Sequence, residues 1–271
     1  MTDAPLFDAW MNPNIGMHQG APTVDHTFPG LAERRERGTT LEQLIEEMDA
    51  AQVHAGLLTS GFRDDDTDWV LNAIELHPSR FRGAAIIDPR EGMAAVQQAE
   101  RMVVDHDFRL IRAIGLITQL PYNAPEYYPL YAKCCELGVP IGLNVGLPGP
   151  RVPARPQDPM AIDDVCAFFP DLKIVMSHGG QPWANVCAHL MAKWPNLYFM
   201  SSAVAPKHLA KEVLDYANTR GGDKIMWASD YPLLTFERCA AEIPNMPFRS
   251  EELRRRYQHD NAVALFAPEL L

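Results

Sequence analysis

Short apolar runs rich in β-branched and aromatic residues alternate with longer amphipathic stretches from one end of this 271-residue chain to the other. No other feature restricts the fold as strongly, because strand-length and helix-length patterns in regular alternation build parallel sheets through helical crossovers. Eight runs read as strands: residues 6–11, 55–59, 83–87, 111–117, 141–145, 173–177, 197–201 and 224–228. Several are apolar at nearly every position, as in Gly83-Ala84-Ala85-Ile86-Ile87, which is how a strand covered on both faces reads.

The stretches between them carry helix punctuation. Thr40-Leu41-Glu42-Gln43 opens one helix with a capping box, residues 127–137 run up to Gly138, residues 184–193 stop before Pro195, and residues 207–220 end at Gly221-Gly222. Eight strands each followed by a helix is the count of an α/β (β/α)8 TIM barrel, in which reacting groups stand at the carboxyl ends of the strands. With no break in composition, residues 1–271 read as one barrel domain. Two long loops, 12–38 after strand one and 146–159 after strand five, fall at that reactive end and have the length of active-site covers.

Composition removes several classes of function. Lys and Arg number 24 against 35 Asp and Glu, a net charge of −11 that repels polyphosphate, so nucleic acid is not an expected partner. The runs Asp64-Asp65-Asp66 and Arg254-Arg255-Arg256 read as solvated element ends. Five cysteines without a CxxC pair point to reduced thiols, and neither a leader nor a membrane span is visible. The expectation is a soluble cytoplasmic protein. GxSxG, P-loop and GxGxxG patterns are absent from the sequence.

Two strand ends carry chemistry. Strand eight runs into Ser229-Asp230-Tyr231-Pro232 and strand six into Ser177-His178-Gly179-Gly180, so a carboxylate and an imidazole converge across the barrel mouth. Each alone is a common loop or cap residue; together they form a candidate acid/base pair.

These segments, with Asp8-Ala9-Trp10-Met11-Asn12, Tyr127-Tyr128-Pro129-Leu130-Tyr131 and Asn261-Ala262, give the chain a resemblance to the amidohydrolase superfamily. It is most similar to the amidohydrolase-2 group that includes aminocarboxymuconate-semialdehyde decarboxylase and related decarboxylases, hydratases and lactonases. The resemblance implies a barrel enzyme acting on a small or medium carboxylic acid or its derivative. It also implies a divalent metal held by two histidines of strand one, a histidine after strand five and the strand-eight aspartate, with the strand-six histidine assisting catalysis.

This chain departs from that pattern. Trp10 and Asn12 stand at the first two positions and Asn144 or Leu147 at the third, leaving Asp230 and His178. Indole cannot ligate a metal and an amide oxygen is a poor ligand for zinc. The expectation is therefore an enzyme without a metal or other cofactor, although His18 and His26 in the first long loop are candidates to rebuild a site. The alternative is a zinc- or manganese-dependent hydrolase or decarboxylase with a remodelled site. A second alternative is a barrel that lost its chemistry and serves as a binding subunit.

Without a metal, the pair Asp230 and His178 suits hydrolysis, hydration or C–C cleavage, decarboxylation included. Arg112 on strand four, and Arg151 and Arg155 on the loop after strand five, are candidates to bind a substrate carboxylate. Trp10, Trp183 and Tyr231 are candidate pocket walls, and Asn12 and Asn144 candidate hydrogen-bonding groups. A homodimer is plausible from the resemblance.

Overall fold

The computed structural model describes residues 5–13, 27–28, 30–61, 66–147 and 149–270. Eight parallel strands follow one another in chain order: β1 (Leu6–Met11), β2 (Val53–Ser60), β3 (Phe81–Ile86), β4 (Leu110–Ala113), β5 (Ile141–Asn144), β6 (Ile174–Ser177), β7 (Leu197–Met200) and β8 (Ile225–Met226). Helices alternate with them, and a bridge between Met11 and Tyr231 closes β1 against the chain after β8. The molecule is a (β/α)8 TIM barrel.

Several local expectations hold. Thr40 caps the helix Leu41–Ala50 with both capping-box bonds, Gln43 N–H to Thr40 Oγ1 at 3.2 Å and Thr40 N–H to Gln43 Oε1 at 3.1 Å. The helix Tyr128–Leu137 ends at Gly138 in the left-handed conformation, and Ala184–Lys193 is a helix.

Others need correction. The fourth strand stops at Ala113, because Gly115–Thr118 turns into a short helix held by the Tyr122 hydroxyl, which accepts the Gly115 N–H at 3.2 Å. The eighth strand is only two residues long, because its continuation bonds across to β1 instead of extending a ladder. The expected helix 207–220 is a 3₁₀ turn, Pro206–His208, followed by a helix over Lys211–Ala217. Asp66 begins a helix and is buried, its Oδ1 accepting the Gly61 N–H at 2.8 Å, so that carboxylate is not a solvated end.

Alternation sorts the side chains into two cores. Leu58, Ile111, Ala113, Leu143 and Met176 face the helices, while Leu57, Ala84, Leu110, Val175, Met200 and Met226 fill the barrel. Toward the carboxyl ends the inward positions become polar: Thr59, Arg112, Asn144 and Ser177, all buried. Apolar packing ends there and the mouth begins.

Candidate active site

The site starts from an irregularity in β1. Asp8 pairs with Gly56 and Met11 with Leu58, so three steps on β1 oppose two on β2, a β-bulge. The extra residue brings Ala9 and Trp10 both into the interior cluster while Met11 faces the helices. The indole of Trp10 crosses toward β5, where Gly142 leaves room: a Cβ there would stand 3.3 Å from Trp10 Cζ3. The Arg112 guanidinium lies over this ring, and the His178 ring meets it edge-on with centroids 5.4 Å apart.

Arg112 is the hub of the polar layer. Its Nη1 donates to Asn12 Oδ1 at 2.9 Å and to the hydroxyl of Thr59. The Asn12 amide donates to Asp230 Oδ1, and Asp230 Oδ2 lies 3.8 Å from His178 Nδ1. That nitrogen is 2.8 Å from Ser202 Oγ, which also accepts the His178 backbone N–H at 3.1 Å. Guanidinium, amide, carboxylate and imidazole thus form one connected chain around the mouth. His178 (φ 70°) and Asp230 (φ 57°) both hold left-handed backbone angles that non-glycine residues adopt uncommonly.

The charges shape one another. Burial lowers the His178 pKa below its ordinary 6.5; the Asp230 carboxylate pulls it back up and the Arg112 charge lowers it further. Burial also opposes the charge on Arg112, and Asp230 offsets part of that cost.

Of the residues expected at the mouth, Trp10, Asn12, Arg112, His178 and Asp230 share this network. Asn144 stands nearby on β5, its Oδ1 accepting the Ser177 hydroxyl at 3.0 Å. Tyr231 does not join them: it stacks on Phe236 (4.5 Å, 9°) under Arg34, in the helix layer. Trp183 is half-buried at the start of the helix Ala184–Lys193, and Arg151 and Arg155 are exposed on the β5 loop. His18 and His26 lie outside the described residues. Sequence reasoning missed Thr59, Ser177 and Ser202. Alternation along β2 and β6 was the available signal for the first two; Ser202 follows β7 and carried none.

Residues 14–267 match the family model described as Amidohydrolase, and the chain belongs to that family. It is an enzyme of the hydrolase or lyase kind. A TIM-barrel protein of Bordetella bronchiseptica, described as uncharacterized, is similar in structure (TM-score 0.76, 22% identity, 96% of this chain and 98% of that one). So is 5-carboxyvanillate decarboxylase from Sphingomonas paucimobilis (0.74, 16%, 97% and 99%). A dihydroxybenzoic acid decarboxylase from Polaromonas, with bound manganese and the inhibitor 2-nitroresorcinol, is a third (0.70, 19%, 99% and 98%).

That manganese corrects the expectation of a cofactor-free enzyme, since a barrel of this architecture with decarboxylase activity holds a divalent ion. Among the described residues of this chain, no group of three or more His, Cys, Asp or Glu side chains is arranged to take one. The mouth offers one carboxylate and one imidazole beside a guanidinium whose charge opposes a second cation. These described side chains do not fit the ion. No helix among the described residues is long and apolar enough to cross a membrane.

Proposed function

We propose that the enzyme decarboxylates a small hydroxylated aromatic carboxylic acid, using His178 and Asp230 as its acid/base pair. The observation that carries this reading is the connected chain from Arg112 through Asn12 to Asp230 and His178 at the carboxyl end of the barrel. The two decarboxylases of the same fold, which act on phenolic acids by their names, support the choice of substrate class.

In such a reaction the bond from ring carbon to carboxylate breaks, its electron pair stays on the ring, carbon dioxide leaves, and one proton takes its place. A ring hydroxyl donates electron density to the carbon that bears the carboxylate, so that carbon takes up the proton and the protonated ring accepts the electron pair as the carbon–carbon bond breaks and aromaticity returns. His178, kept neutral at neutral pH by burial, is suited to carry the proton, and Asp230 beside it steadies the imidazolium that forms during uptake and release. Arg112 places a positive charge opposite an anionic substrate, held rigidly by Thr59 and Asn12. Arg151 and Arg155, exposed on the β5 loop, are suited to attract the anion at the rim against the net negative field.

The test is a panel of hydroxylated benzoates, assayed for carbon dioxide release with manganese supplied. Turnover by the wild type, reduced by about 10²-fold or more in Asp230→Asn, is the expected result. Hydrolysis of a lactone or amide panel with no release from any benzoate would replace decarboxylation with hydrolysis.

A further inference from the structure

We propose that Asp8 is a positioning residue whose buried carboxylate ties β1 to the segment after β8 and so fixes where Asp230 stands. The inference rests on reading Asp230 as a reacting group.

The need for such a tie follows from the topology. β8 is two residues long, and the barrel closes between Met11 and Tyr231 through a bridge instead of an extended ladder. Asp230 therefore stands beyond regular sheet pairing, in a left-handed conformation that a ladder does not impose.

Asp8 supplies the missing constraint. It is fully buried, and its Oδ1 accepts two backbone N–H groups, Trp10 at 3.0 Å and Ser229 at 3.0 Å. Its Oδ2 accepts the Ser229 hydroxyl, and Ser229 Oγ accepts the Tyr231 N–H at 2.8 Å. The Asp230 N–H, between them, donates to Trp10 O at 2.9 Å. The backbone N–H groups of residues 229, 230 and 231 are thus all engaged by Asp8, its bonded serine, or the residue whose N–H Asp8 also holds. Hydrogen bonds in a dry interior are strong and directional, so this one carboxyl group sets both the Trp10 bulge and the Asp230 turn.

Asp8→Asn keeps the shape but exchanges an acceptor oxygen for a donor, and Ser229→Ala removes the hydroxyl bridge. Both are expected to lower kcat by about 10- to 100-fold with KM changed less than about threefold, since misplacement of a reacting group by an ångström costs that much. Crystal structures of the two variants are expected to show Asp230 shifted from its 3.8 Å separation from His178 Nδ1. Tyr257→Phe, which removes the Tyr257–Ser201 hydroxyl contact of 2.8 Å outside the site, controls for stability and should keep kcat.

The proposal is overturned if both variants leave Asp230 in place, or if their kcat falls no further than that of Tyr257→Phe. Should Asp230→Asn itself retain full turnover, the functional reading fails. The role of Asp8 is then decided by the position of Asp230 in the variant crystals.

Discussion

Asp230 Oδ2 stands 3.8 Å from His178 Nδ1, and both residues hold left-handed backbone angles just beyond β8 and β6, the strands on either side of β7. Neither sheet pairing nor helix capping accounts for two such conformations pointing into one buried layer. Strained turns of this kind persist where the surrounding contacts hold them.

A pH dependence follows. His178 is held neutral because burial lowers its pKa below 6.5, so the folded protein resists a proton that the unfolded chain accepts near 6.5. Stability contributed by neutral His178 is present above that pH and is lost as pH falls from 6.5 through the lower folded value. The denaturant midpoint of His178→Gln relative to that of the wild type should rise as pH is lowered from 8 to 5; a difference that does not vary with pH would count against the argument.

Asp8 has the opposite sign. Burial lifts its pKa to about 7, well above the ordinary 3.8, so the folded state holds a proton between these values that the unfolded state has lost. The stability contributed by Asp8 therefore declines as pH rises from 4 to 7, by an amount on the order of 2–4 kcal/mol at most. Asp8→Asn removes that cost, and its stability relative to wild type should improve between pH 5 and pH 8 by urea unfolding. A difference that does not vary with pH would sink the idea.

The buried and the exposed arginines should separate by salt. Arg112→Met removes the partner of buried Asn12 and Thr59 and the charge beside Asp230, with an expected loss on the order of 3–5 kcal/mol of stability. Arg151→Ala should raise KM for an anionic substrate at low ionic strength, with the increase shrinking as salt screens the exposed charge. Steady-state kinetics at two salt concentrations decide this: a KM increase that persists at high salt argues against rim attraction.

Gly142 should be intolerant of bulk. A valine there would press on the Trp10 indole from the opposite wall of the barrel, at an expected cost of about 1–3 kcal/mol. Equilibrium unfolding of Gly142→Val measures this cost, and wild-type stability would show that the ring is not packed against β5.

Thiol accessibility offers a check on the fold itself. Cys134, Cys166, Cys187 and Cys239 are buried, and burial pushes their thiols up to about 12 or beyond, whereas Cys135 is half-buried. A native enzyme should react with Ellman's reagent at no more than about one thiol before unfolding. Rapid labelling of several would contradict the packing of these helices on the barrel.

The sequence by itself determined the barrel, because the alternation of strand and helix patterns is local, and eight such units leave few ways to cover both faces of the sheet. It also brought Asp230 and His178 into view, since strand ends are legible once strands are. It did not reveal the bulge in β1, because an extra residue changes side-chain direction without changing composition. Only the tertiary structure decided that Arg112 and Trp10 stack at the centre of the mouth and that Tyr231 turns into the helix layer. Likewise, it took the closed barrel to bring Asp8 against Ser229, 221 residues away, and make it a clamp on the Asp230 turn. Those outcomes depend on which strands become neighbours when the sheet curls shut, and that closure brings together residues that sequence proximity keeps apart.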